Sequence, residues 1–292
     1  MKTLKKLIKN PLAVFGFCFI AFFIIIAIIA PRIAPPEYSY NPYRIPRYGY
    51  SSEPRPPSSE HIFGTTQGQY DIFYGVVWGT RTAFRVALIT TSSITFIGLL
   101  LGIIGGYYGG ILDDLVMRVV DVALSLPRLI GAIIITTILG KGLYEAIIAL
   151  IAFGWMPYVR VIRGEVLSLK ESQYVEAARA VGSSNIKIMF KHILPNVLYP
   201  VLVLSSMDMG SMVLWVSTLS FLGLGPQVGY ADWGQLISFS RNWIIGSPGS
   251  AFEYWYTVIF PVLSITLFVL SWGLVGDALR DVLDPKLRKN IN

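Results

Sequence analysis

Six long apolar stretches dominate the chain and restrict it to one class of fold. Residues 12–30, 86–104, 119–139, 143–161, 197–219 and 256–275 each supply about 19 or more mostly uncharged residues, enough at about 1.5 Å rise per residue to cross a hydrocarbon layer of about 30 Å. A backbone in hydrocarbon must satisfy its own hydrogen bonds, so such stretches become helices. Of the 292 residues, 54% are hydrophobic and 14% charged, and the mean hydropathy is +0.60. That composition excludes an ordinary soluble domain. The pattern predicts an all-α polytopic membrane protein with six transmembrane helices.

Charge sets the expected orientation. Lys2, Lys5, Lys6 and Lys9 precede the first stretch, as in a signal peptide, but the apolar run exceeds a usual h-region and no small-residue cleavage pattern follows. It reads as a retained helix. With the N-terminus inside, six crossings return the C-terminus to the cytoplasm. Fifteen Lys and Arg then fall inside, eight outside, and Arg128 within a crossing, which is the sign the positive-inside rule requires. The net charge of +7 is scattered over several loops and forms no nucleic-acid-binding stripe. A single cysteine, Cys18, excludes an internal disulfide, and two distant histidines, His61 and His192, offer no metal cluster.

The expected organisation is a basic N-terminus with the first helix (1–30), an extracytoplasmic Pro/Tyr-rich segment (31–81), a transmembrane domain (82–276) and a cytoplasmic tail (277–292). Pro35-Pro36 and Pro54-Arg55-Pro56-Pro57 favour extended backbone, so the second segment reads as an exported linker that leaves the first helix peripheral to a five-helix core. In the outer segment 220–253, Gly223 and Gly225 permit turns, and Trp233 and Trp243, with Trp255 just beyond, suit an interfacial belt. The run Gly105-Gly106-Tyr107-Tyr108-Gly109-Gly110 reads as a pliant turn between crossings. Asp113, Asp114, Arg118 and Asp121 read as capping and anchoring groups at a helix entrance. Asp277, Arg280, Asp281 and Asp284 recur at helical spacing and can share one face.

The inner loop 165–196 carries the most chemistry. Ala177, Ala178 and Ala180 leave a low-relief surface that a partner's backbone can approach, Glu176 and Arg179 offer charge-assisted bonds, and Gly182 lets the helix end and turn. Ile186, Ile188, Met189 and Phe190 form an apolar patch beside Lys187 and Lys191, and Pro195 marks re-entry into the next crossing. By physics alone, an amphipathic helix lying on the headgroups reads equally well. The spacing Glu176-Ala177-Ala178, then Gly182, then Leu194-Pro195 resembles the EAA loop of ABC-importer permeases, the element that seats in a cleft of the ATPase. Ser220-Phe221-Leu222-Gly223-Leu224-Gly225, Trp233-Gly234, Phe260-Pro261 and the run Gly276 to Pro285 extend the resemblance to DppC/OppC-type subunits of dipeptide, oligopeptide and nickel importers.

The resemblance implies a second, homologous permease of the DppB/OppB type, two ABC ATPases, an extracytoplasmic solute-binding protein, a place in the cytoplasmic membrane among its lipids, and no nucleic-acid partner. It also implies that Glu176, Ala177, Ala178, Arg179, Gly182, Ile188 and Pro195 couple to an ATPase. No Gly-x-x-x-x-Gly-Lys-Ser/Thr loop occurs in the chain, so no cofactor is expected on it, and ATP and Mg²⁺ are expected on the partner ATPases. Two departures fall on the expected outer side: Gly64-Thr65-Thr66-Gln67-Gly68-Gln69-Tyr70-Asp71 lacks one acid and the arginine of the family's run, and Gln227 to Asp232 replaces a Pro-rich stretch. Arg128 and Asp208, each near the middle of an expected crossing, would cost about 2.5–3.5 kcal/mol there unless they meet water or a partner. Either they face the solute path, paired with each other or contacting the polar ends of a peptide-like solute, or they make a structural contact with the partner permease or snorkel to the interface. The reading is a peptide importer working by alternating access. An oligosaccharide or nickel importer of the same family and an ion-coupled secondary transporter stand as alternatives, although a secondary transporter calls for inverted repeats and paired intramembrane acids. A membrane enzyme would need a clustered catalytic set, which the sequence does not supply.

Overall fold

Asn10 opens the first helix: its side-chain oxygen accepts from the backbone of Leu12 (3.0 Å) and Ala13, and Pro11 follows at the first helical position. The computed structural model describes residues 10–244 and 252–283; the basic residues at 2, 5, 6 and 9, together with Asp284 and the rest of the tail, lie outside the described residues. In chain order come α1 (Pro11–Ile33), α2 (Ile72–Tyr108), α3 (Gly110–Leu124), α4 (Arg128–Leu139), α5 (Leu143–Lys170), α6 (Gln173–Ala180) and α7 (Asn185–Ile188). A π turn (Met189–Ile193), α8 (Leu194–Phe221), α9 (Trp233–Phe239) and α10 (Tyr256–Leu283) complete the order. Five helical stretches are long and apolar enough to cross a membrane, and α3 with α4 make a sixth crossing if their bent pair is one span. The exposed face of α1 is lined by Phe15, Phe22, Ile25 and Ile28, as lipid contact requires.

The centre of the bundle is the pairing of α2 with α5, and glycine explains it. Gly98, Gly102 and Gly106 recur every four residues on α2 and face Tyr158, Ile162 and Val166, which recur every four on α5. A Cβ at Gly98 would stand 2.3 Å from the Cβ of Tyr158, and one at Gly102 would stand 2.7 Å from Ile162. The backbones therefore approach more closely than any side chain would allow, as in small-xxx-small membrane seams. α8 and α10 pack in the same way at Gly210, where a Cβ would lie 2.9 Å from the Val269 backbone. Gly16 lets α1 rest on α10, within 2.9 Å of the Ser271 carbonyl by the same measure.

Four expectations need correction. The second crossing begins at Ile72 rather than 86, because Asp71 caps it through the Tyr74 N–H at 2.8 Å; the boundary set at 82 therefore falls inside a helix. The third crossing, expected as one span over 119–139, is broken by 92° between α3 and α4. Pro127 supplies the break, since it has no N–H and forces the residue before it out of helical geometry. Of the glycine-rich turn only Gly109 and Gly110 turn, at φ +67° and +70°, while Gly105 and Gly106 stay helical. The boundary between core and tail at 276 lies inside α10, which continues to Leu283.

Residues 34–71 are a packed cap rather than a linker. Ile45 is buried, the Trp78 indole donates to the Ala34 carbonyl at 2.9 Å, and Ile45 N–H donates to the Gly229 carbonyl at 2.8 Å. The other half of the cap is the loop after α8 and α9. Here too the expectation changes: Trp233 is not in an interfacial belt but 2% exposed, packed on Phe23 and Phe268 and against Gly79, where a Cβ would come within 2.6 Å of its indole. Asp232 caps α9 through the Gln235 N–H at 2.9 Å, and burial pushes its carboxyl up to about 6 despite that bond. Gln69 occupies the left-handed region at φ +64°; its side chain compensates by donating to the Glu53 carbonyl at 2.6 Å.

Candidate functional site

The loop between α5 and α8 is built to present one face of a short helix. α6 buries Val175 and Ala178, while Glu176, Ala177, Arg179 and Ala180 are exposed. The low-relief surface is thus Ala177 and Ala180 beside two charges; Ala178, expected on it, points into the bundle. A Schellman turn ends the helix, with Gly182 N–H donating to the Arg179 carbonyl (2.9 Å) and Ser183 N–H to the Ala178 carbonyl (3.0 Å). Gly182 has φ +78°, and a Cβ there would meet nothing within 4 Å. Its backbone needs glycine, but its surroundings within this chain leave the space above it open.

Ser184 caps α7, and the chain then runs into α8 without a break. Pro195, expected to mark the re-entry, is exposed in the first turn of α8, and helix already begins at Asn185. The π turn absorbs the proline: Leu194 N–H reaches back to the Met189 carbonyl, a five-residue bond that admits a residue lacking its own donor. The expected apolar patch is split by the same helical phase. Ile188 and Met189 are buried, whereas Ile186 and Phe190 are 64% and 66% exposed.

This surface is tied to the two central helices. Tyr107, at the end of α2, donates to Asn185 Oδ1 at 2.8 Å, and its ring lies 5.6 Å from the Arg179 guanidinium. Lys170 donates to the Gly106 carbonyl at 3.2 Å. Asp113 and Asp121, read from sequence as caps, instead reach across to α5. Arg163 holds the buried Asp113 with two bonds of 2.6 Å, and Arg160 pairs with Asp121 near the surface. α6 and α7 thus touch the end of α2, and α2 and α3 are each bonded to α5. None of these ties was assigned from sequence; only the Gly98, Gly102, Gly106 spacing carried a local signal.

Arg128 and Asp208 enter one polar cluster without forming an ion pair. Arg128 begins α4 just past the break, passes over Gly154, and reaches Met212 Sδ at 3.3 Å and the Trp215 ring at 5.7 Å. A Cβ at residue 154 would stand 2.9 Å from its Nη2. Its Nε, the Tyr158 hydroxyl and the Thr95 hydroxyl are buried without a hydrogen bond of good geometry; Asp208 acts electrostatically on both Arg128 and Tyr158. A charge at a helix centre costs about 2.5–3.5 kcal/mol on insertion scales unless it meets water or a partner. Among the described residues no group of His, Cys, Asp or Glu is arranged to hold a metal.

Comparisons with known proteins agree with this architecture. A family described as binding-protein-dependent transport system inner membrane component matches residues 98–289, and the N-terminal TM domain of oligopeptide transport permease C matches 2–54. The dipeptide transport system permease protein DppC of Alkalihalophilus pseudofirmus is 39% identical over 98% of this chain and 90% of its own length. The oligopeptide transport system permease protein OppC of Bacillus subtilis is 34% identical over 96% and 88%, and the glutathione transport system permease protein GsiD of Pectobacterium atrosepticum is 34% identical over 97% and 90%. Among solved structures, a chain of the MetNI methionine ABC transporter in an inward-facing conformation superposes with a TM-score of 0.57 at 20% identity, covering 72% of this chain and 97% of its own, a likeness of fold. The chain belongs to the family of binding-protein-dependent transport system inner membrane components, multi-pass proteins of the inner membrane that form the translocation part of ABC importers.

Proposed function

We propose that the chain is one of two permeases of an importer for dipeptides or oligopeptides, and that the α6–Gly182 surface is where an ATPase seats. Three relatives named for dipeptide, oligopeptide and glutathione transport support the solute class. The observation that carries the coupling role is the open, small-residue surface over Gly182, held in shape by its own Schellman turn and tied through Tyr107, Lys170 and Asp113–Arg163 to the central helices. The excess of Lys and Arg at this end supports a cytoplasmic position for it and an outer position for the cap. ATP and Mg²⁺ belong to the partner ATPases. Their closure draws the two coupling loops together, α6 moves with the ends of α2 and α5, and the path opens outward.

Arg128 and Asp208 supply charges of both signs beside the broken crossing, which suits the two charged ends of a peptide. Arg128→Gln and Asp208→Asn are expected to lower transport while leaving assembly intact; unchanged transport removes them from the path. The coupling role is tested by purifying the tagged chain from native membranes as wild type, Gly182→Trp and Glu176→Lys. Wild type is expected to bring a second permease and ATPases, and the variants to lose only the ATPases. A wild-type chain that purifies alone, or variants that keep their ATPases, overturn the coupling role.

A further inference from the structure

A second polar site sits in the cap, far along the chain from the coupling surface. A cavity of about 160 Å³ is lined by Tyr38, Arg44, Arg47, Tyr50 and Tyr70. Both guanidiniums lack a carboxylate within ion-pairing distance among the described residues, where the only pairs are His61–Asp71, Arg160–Asp121 and Arg163–Asp113. Both are nonetheless held in place. Arg47 Nε donates to the Gly68 carbonyl at 2.7 Å, and its guanidinium lies 4.3 Å from the Tyr50 ring and 5.3 Å from the Tyr70 ring. Arg44 donates through Nη1 to the Tyr40 hydroxyl at 3.0 Å and covers the Tyr38 ring at 4.8 Å.

These bonds leave both terminal nitrogens of Arg47, and Nε and Nη2 of Arg44, without a hydrogen bond to a described residue. The backbone beneath them is fixed: Arg44 bridges to Tyr230 and Arg47 to Tyr70, with buried Ile45 and Pro46 between them. The rim is open, with Tyr50 87% and Val228 75% exposed. Arginine and tyrosine on a rigid frame are the residue types that anchor protein interfaces, because little side-chain freedom remains to be lost on binding. A pair of guanidinium forks with unused donors matches a carboxylate.

We propose that this cavity is a socket for an acidic side chain of the extracytoplasmic solute-binding protein, and that Arg44 and Arg47 grip its carboxylate when that protein docks. The inference rests on the importer reading above, which places the cap outside. It is tested with the complete transporter in lipid nanodiscs and its own binding protein, measuring docking Kd from 50 to 300 mM salt. Arg44→Glu/Arg47→Glu is expected to weaken docking at least tenfold and to flatten its salt dependence, and Arg44→Gln/Arg47→Gln to do so more mildly. Arg55→Glu, an exposed charge reversal elsewhere in the same segment, is expected to leave Kd within twofold. An Asp→Lys or Glu→Lys change on the binding protein that restores docking to the reversed pair identifies the gripped residue. Equal docking by wild type and double variants, equal losses in the Arg55 variant, or a Kd that follows the anionic lipid content instead of the arginines overturns the socket alone. Failure of the wild-type transporter to bind any binding protein overturns the importer reading with it.

Discussion

Replacing Gly98 by Ala tests the central helix pairing most directly. The added Cβ would stand 2.3 Å from the Cβ of Tyr158, whereas carbon atoms rest about 3.5 Å apart, so the helices must separate by about 1 Å. Because the opposing atom is itself a Cβ, no rotamer change relieves the clash. A gap of that size forfeits up to about half of the dispersion energy along the rest of the seam, at Gly102–Ile162 and Gly106–Val166. Overpacking of this kind costs about 1–3 kcal/mol, and the better helix propensity of Ala returns at most about 1 kcal/mol. With that return taken in full, the net expectation is a loss of about 0–2 kcal/mol against wild type, and of about 1–3 kcal/mol against an alanine that meets nothing. Gly164→Ala is the internal control, since its Cβ would meet nothing within 4 Å in the middle of α5; it should be neutral or stabilising by up to about 1 kcal/mol. Unfolding of the purified chain in mixed micelles, by rising SDS fraction and followed by circular dichroism, reads both. Gly98→Ala and Gly164→Ala variants that shift alike would refute the close-packed seam.

The Asp113–Arg163 fork, with one partner buried and the other's side chain 30% exposed, should show a coupling energy of about 1–3 kcal/mol in a double-mutant cycle with Asp113→Asn and Arg163→Gln, below the value for a fully buried pair. Additive effects within about 0.3 kcal/mol would mean that α3 and α5 are held by packing alone. The buried Asp232 carboxyl, raised from the ordinary carboxylate range to about 6, has a folded pKa above its unfolded one. Its contribution is therefore present in full below the unfolded pKa and is lost as pH rises through the folded value. Thermal stability of the cap should rise on acidification between pH 6.5 and 4, by up to about 3 kcal/mol, as read by Trp fluorescence. Asp232→Asn should abolish that slope; a slope that persists assigns it to other groups.

Helix-forming apolar runs were legible because bilayer physics leaves them no alternative structure, and the sequence around Gly182 was legible because a Schellman turn uses only neighbouring backbone. Asp71 caps the second crossing and Pro127 breaks the third, but neither residue changes the hydropathy pattern around it. The second crossing therefore begins 14 residues before its apolar stretch, and the third breaks inside a stretch that hydropathy shows as continuous. Hydropathy counts side chains and is blind to the single backbone donor that a cap satisfies or a proline lacks. The same averaging put Trp233 in a belt, since an aromatic near a helix end reads alike whether it meets headgroups or the cleft that Gly79 leaves open.

By itself, the sequence determined the class of fold, the family, and the exposed helix with its glycine turn, because each depends on residues close together in the chain. Tertiary structure alone decided which face of that helix is free, that Ala178 and Ile188 belong to the core, that Asp113 and Asp121 bind arginines on α5, and that Arg44 and Arg47 share one cavity. Asp113 and Arg163 lie 50 positions apart, and no local pattern encodes which partner a charge will meet once the helices have packed.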